Sequence, residues 1–167
     1  MNSNQTPTKK SDVLTHTPIT NLNIDGCACR CLLQIQSKKQ PISEGDFIAC
    51  FSGTFPIWQT QPGLTDTRAI CHIARSLGLA ESIHVFRDYD RIKRYFGQAA
   101  VSGILIGVER WPNQNSQLLR CDHCTLLLSI DDSHFQLWCP NQDGSAKVWD
   151  FNREDWDKLV CHAIVLT

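Results

Sequence analysis

A chain of 167 residues with 42% hydrophobic and 20% charged side chains has the composition of one globular domain with a sizeable core, not of a disordered segment. Its net charge of -1 and pI near 6.6 give no basic surplus to neutralise phosphates, so nucleic acid is not an expected partner. No apolar run reaches the ~20 residues of a membrane span, and Met1 to Lys10 lack the hydrophobic stretch of a cleaved secretory signal.

Residues 1–20 are rich in Ser, Thr, Asn, Gln, Pro and Lys and are expected to form a flexible polar segment ahead of one domain at 21–167. The first helix is predicted from Cys27 to Ser37, with Cys31, Leu32 and Ile35 on its inner face and Pro41 beyond its end. A short helix is predicted at 45–51. Thr65 or Asp66 can cap a further helix whose apolar face is Ile70, Ile73, Ala74 and Leu77, closed by Gly78. A short strand follows at 83–86, then a short helix at 89–96 closed by Gly97. The charged run Arg87 to Arg94 reads as a solvated helix face.

The C-terminal half is strand-rich. Val101 to Val108 is an apolar run, and a polar loop is predicted from Trp111 to Leu119. His123–Ile130 and His134–Cys139 flank the turn Asp131-Asp132-Ser133 and read as a hairpin. Ala146–Phe151 is another strand, Asn152 can cap a helix running to Leu159, and Cys161–Leu166 closes the chain as a strand. Helices first and an antiparallel sheet after is an α+β layout.

Nine cysteines, at 27, 29, 31, 50, 71, 121, 124, 139 and 161, form an odd set in a chain with no evident secretory signal. Reduced thiols and cytoplasmic synthesis are therefore expected, which leaves open export by a route without a cleaved signal peptide. Cys50, Cys71 and Cys161 stand in apolar contexts as small core residues. Cys27 follows Asp25-Gly26 and heads an apolar helix. A thiol there meets unpaired backbone N–H groups and the positive end of the helix dipole, both of which favour a thiolate. A histidine beside it would complete an activated nucleophile.

These residues resemble the papain-like cysteine peptidase superfamily, most of all the leader-peptide peptidase domains of bacteriocin-exporting ABC transporters and the related papain-like effector proteases of pathogenic bacteria. The resemblance rests on Asp25-Gly26-Cys27 with Leu32 five residues on, although those domains carry Asp-Cys-Gly. It rests further on Asp66-Thr67-Arg68 to Gly78-Leu79 and on the apolar run 101–108. The last two matches are His123 opening the strand to Ile130 and Phe135 to Asn141, with Cys139-Pro140-Asn141 where Asp-Pro-Asn is usual. It implies a papain-like α+β fold, an N-terminal helical half packed on an antiparallel sheet. It also implies Cys27 as nucleophile and His123 as general base and later general acid. The orienting aspartate of the family falls on Cys139, and Asn141 is a substitute for it. In that family a glutamine six residues before the nucleophile completes the oxyanion hole; Asn21 stands there, with Asn23 nearby, and a plain turn role for both is the other reading.

The implied activity is a thiol hydrolase, a cysteine peptidase or glutamine deamidase working through an acyl-thioester on Cys27, with a protein or peptide as substrate and no cofactor. An exported bacterial effector fits the polar leader. Two alternatives stand beside it. One is a papain-like binding module impaired by Cys139. The other is a zinc-binding interaction domain using Cys121 and Cys124 with two of Cys27, Cys29 and Cys31, although strand alternation would splay Cys121 and Cys124 onto opposite faces. Cys29 is the backup nucleophile. His72, His84, His134 and His162 read as surface or structural residues, and Trp111 as packing or a cleft wall.

Overall fold

Six strands make one antiparallel sheet in the order β1-β6-β2-β3-β4-β5 in the computed structural model, which describes residues 26–39, 43, 46, 67–113, 117–140 and 146–167. The strands are β1 (Ile83–Phe86), β2 (Gly103–Pro112), β3 (Leu118–Ile130), β4 (His134–Pro140), β5 (Ala146–Asn152) and β6 (Val160–Leu166). Among the described residues the helices with a full range are α1 (Cys27–Lys39), α2 (Thr67–Ser76), α3 (Tyr89–Tyr95) and α4 (Trp156–Leu159), the last preceded by a 3-10 turn at Arg153–Asp155. The protein is thus α+β, as the order of elements predicts. The polar segment 1–20, most of the helix expected at 45–51, and Asn21, Asn23, Cys50, Thr65, Asp66 and Asn141 lie outside the described residues.

Both faces of the sheet are covered, whereas the sequence reading packs an N-terminal helical half on the sheet and assigns no second layer. Leu105, Cys124, Leu126, Ile164 and Leu166 pack with the inner residues of α1 and α2. Ile104, Ile106, Val108, Leu127, Val160 and Val165 pack with α3, α4, Phe135 and Leu137 on the other side. Two-sided burial explains why β2 and β6 are near-continuous apolar runs, while the edge strand β5 alternates between half-buried and exposed positions. The second layer also corrects the reading of 87–94 as a solvated face. Tyr89 and Ile92 are buried in it, and the Tyr89 hydroxyl donates to the carbonyls of Asp131 (3.0 Å) and His134 (2.9 Å).

Local chemistry sets the helix ends. Asp88 accepts the Arg91 amide at 2.7 Å as the N-cap of α3. Past α2 the chain turns at Gly78, φ 65, with Gly78 N–H donating to Arg75 O and Leu79 N–H to Ala74 O, a Schellman closure that buries Leu79. The α1 helix runs two residues beyond its expected end. The polar loop expected at 111–119 is shorter than predicted, because Trp111↔Leu119 and Pro112↔Leu118 extend the β2–β3 ladder. Asn152 makes no side-chain cap; it pairs with His134 at the end of β5 instead.

Candidate active site

Gly26 carries φ 153, a backbone angle open mainly to glycine, and its carbonyl accepts the Arg30 amide as the first acceptor of α1. Cys27 therefore heads the helix, half-buried. Its Sγ accepts the backbone N–H of Cys124 at 3.1 Å. One turn on, buried Cys31 donates its thiol to the Cys124 carbonyl at 3.7 Å. The β3–β4 pairing reaches only as far as Leu126↔Trp138, so at Cys124 two helix thiols serve the backbone groups of β3.

Burial pushes the Cys27 thiol up, reinforced by the neighbouring Cys124 thiol, while the amides of Cys124, Ala28 and Cys27 itself pull it down. Burial prevails, so the resting sulfur is a thiol at neutral pH. The helix terminus alone does not make it a thiolate.

His123, on β3 opposite Val108, is half-buried with its ring edge-on to Trp111 at 5.7 Å. Trp111 in turn packs edge-on against Trp149 and Phe151. Burial lowers the His123 pKa and keeps the imidazole neutral. Its Nε2 lies 3.0 Å from Sγ of Cys139, the buried residue near the end of β4. Burial, then the Cys27 and Cys121 thiols, push Cys139 up to about 11. The Cys139 thiol also lies 3.9 Å from Pro140 O, and the direction of its contact with His123 depends on the tautomer of the ring. In the tautomer with Nε2–H toward Cys139, Nδ1 carries the lone pair of a base.

The structure brings His123 to Cys139 and seats Cys27 on the residue after His123. It does not join the Cys27 sulfur to the His123 ring: among the described residues no hydrogen bond links them. Cys27 packs with the α1–α2 layer, whereas the ring of His123 lies against Trp111, which packs with the opposite layer. Cys139, in contact with the ring, is also near enough to Cys27 for that thiol to raise its pKa.

Cys29 is fully buried, which removes it as a backup nucleophile. The placement of its ligands lends the zinc alternative no support. Cys121 packs with the α3–α4 layer and Cys124 with the α1–α2 layer, and among the described residues no group of three or more His, Cys, Asp or Glu side chains can hold a metal ion.

Sequence reasoning missed two features. Cys124, read only as a zinc candidate, is the strand residue that holds Cys27. Cys161 and His162, read as core and structural, form a second thiol–imidazole contact: Cys161 Sγ is 3.0 Å from His162 Nδ1 and 3.1 Å from Gly107 O, and His162 Nε2 is 3.3 Å from Thr67 Oγ1. The signal was the register shift between β2 and β6 at Gly107/Val108, which no local pattern in the sequence announces. No protein-family model matches this sequence, and no curated protein matches it.

Proposed function

We propose that the chain is a papain-like thiol hydrolase, a cysteine peptidase or glutamine deamidase acting on a protein or peptide. One observation carries the reading. A half-buried cysteine at a helix N-terminus rests its sulfur on the strand residue after His123, and the same histidine is gripped through Nε2 by Cys139. In this reading Cys27 and His123 rest apart, both neutral, and the His123 ring has to leave Trp111 and reach the Cys27 sulfur before the chemistry begins. As the acyl group arrives, Nδ1 takes the thiol proton while the sulfur attacks the carbonyl carbon. The imidazolium returns that proton to the leaving amine, and the thioester remains. Water, deprotonated by the same imidazole, then releases the acid and the Cys27 thiol.

The second reading, a papain-like binding module, draws on Cys139. A thiol pushed up to about 11 is neutral at pH 7 and offers the imidazolium no countercharge. Thiol labelling separates the two. The full chain is treated with iodoacetamide and with a peptide acyl-electrophile, and the modified residue is read by mass spectrometry. Acylation confined to Cys27 and lost in His123→Ala supports the hydrolase. Equal labelling of wild type and His123→Ala, with both folded, leaves the module.

A further inference from the structure

Cys27 and Cys31 are one helical turn apart and present their sulfurs to one residue of β3. Cys124 gives its N–H to the first and its carbonyl to the second, and its own thiol is near enough to that of Cys31 to raise the Cys31 pKa. The three differ in access: Cys27 is half-buried, Cys124 is buried and Cys31 is completely buried. A small oxidant therefore meets this array at Cys27. The Cys124 sulfur is three bonds from the nitrogen that touches Cys27 Sγ, so rotation about its χ1 can bring the two sulfurs together.

We propose that Cys27, Cys124 and Cys31 form a relay that takes up oxidation by a hydroperoxide and moves it from the half-buried thiol to a buried disulfide. In the first step the Cys27 sulfur attacks the O–O bond. The hydroperoxide leaves as an alcohol, or as water from hydrogen peroxide, and Cys27 becomes a sulfenic acid. In the second, the Cys124 sulfur attacks the sulfenic sulfur. An S–S bond forms, the S–O bond breaks, and hydroxide leaves with the Cys124 proton as water. In the third, the Cys31 sulfur attacks Cys124, forming Cys31–Cys124, and Cys27 departs with the Cys31 proton as a free thiol. Two electrons have passed from sulfur to peroxide. A dithiol reductant restores the start. Burial holds Cys27 and Cys31 on the thiol side of their titrations, so the relay runs faster as pH rises.

The proposal deepens the hydrolase reading by making Cys27 recoverable after oxidation, but its test reads disulfides rather than hydrolysis, so the two fail separately. The reduced full chain is exposed to equimolar hydrogen peroxide, alkylated, digested without reductant and mapped by mass spectrometry. The expected product is Cys31–Cys124, reversed by dithiothreitol. Cys31→Ser should stop at Cys27–Cys124, and Cys124→Ser should leave Cys27 as a sulfenic acid trapped by dimedone. Cys27→Ser, which keeps an acceptor for the Cys124 amide, should slow the Cys31–Cys124 link at least tenfold. An unchanged rate in Cys27→Ser, a Cys27–Cys139 link, or no disulfide at all overturns the relay. Should the buried variants fail to fold, the Cys27→Ser rate decides alone.

Discussion

Replacing Cys139 by aspartate tests whether the His123 ring belongs to a proton-transfer unit. Sγ of Cys139 stands 3.0 Å from Nε2, so a carboxylate there would face the imidazole at salt-bridge distance. An opposite charge at that range raises a histidine pKa by about 1–3 units, which is about 1.4–4 kcal/mol of imidazolium stabilisation. The site is 5% exposed, so desolvation of the new carboxylate offsets part of this gain. If the imidazolium forms in the rate-limiting step, the full gain would be a rate increase of roughly 10- to 1000-fold, and the surviving part appears as an increase below that. Histidine ring NMR follows the His123 titration, and release of a fluorogenic peptide or amide follows the rate. The expected outcome is an upward-shifted titration together with faster turnover. If the titration moves up and turnover does not, His123 takes no part in the chemistry. If the titration does not move, Nε2 does not face position 139.

Three further outcomes follow from the same coordinates. Cys27→Ala strips the Cys124 amide of its acceptor and should destabilise the fold by about 1–3 kcal/mol, whereas Cys27→Ser should cost less; urea titration of both variants compares them, and equal losses would refute the role of the sulfur as acceptor. His123 and His162 are both held below their ordinary value near 6.5 by burial. The unfolded chain therefore binds those protons first, so stability is complete above about pH 6.5 and is lost as pH falls through that value toward the lower folded pKa values; urea midpoints at about pH 7.5 and about pH 5 should fall in that order, less steeply in His162→Gln. Trp156, buried between Tyr89 and Phe135 and donating its indole N–H to Arg87 O at 2.7 Å, should cost about 3–5 kcal/mol as Trp156→Ala, and a loss below about 1 kcal/mol by chemical denaturation would show that the α3–α4 layer is not a core.

Much of the architecture is legible in the residue order because it rests on local patterns. The apolar spacing of Ile70, Ile73 and Ala74 marks α2, and Gly78 and Gly97 close helices through positive φ. The turn Asp131-Asp132-Ser133 links β3 to β4 where expected, with Asp131 accepting the amides of Ser133 and His134. The second layer was illegible for a physical reason. α3 places Tyr89 and Ile92 inward among Arg87, Asp88, Asp90, Arg91, Lys93 and Arg94, and so short a helix shows no sustained period against that charge. In the candidate site, the positions of Cys27, His123 and Cys139 could be named from motif order. What each one touches could not, because that depends on where the β3–β4 ladder stops.

The end of that ladder joins the fold to the chemistry. A strand that loses its neighbour exposes an amide and a carbonyl, and leaving them unsatisfied in a buried setting is costly. At Cys124 the answer is sulfur: α1 is positioned so that Cys27 accepts and Cys31 donates. Two cysteines one turn apart thus have a structural reason to exist that is independent of catalysis. The same placement holds a half-buried thiol at a helix N-terminus beside the strand that carries His123. Structural demand explains the buried thiol of Cys31 completely. It does not explain why Cys27 remains reachable, nor why Nε2 of a nearby imidazole should stand 3.0 Å from the Cys139 sulfur, and those two features are what the proposed chemistry accounts for.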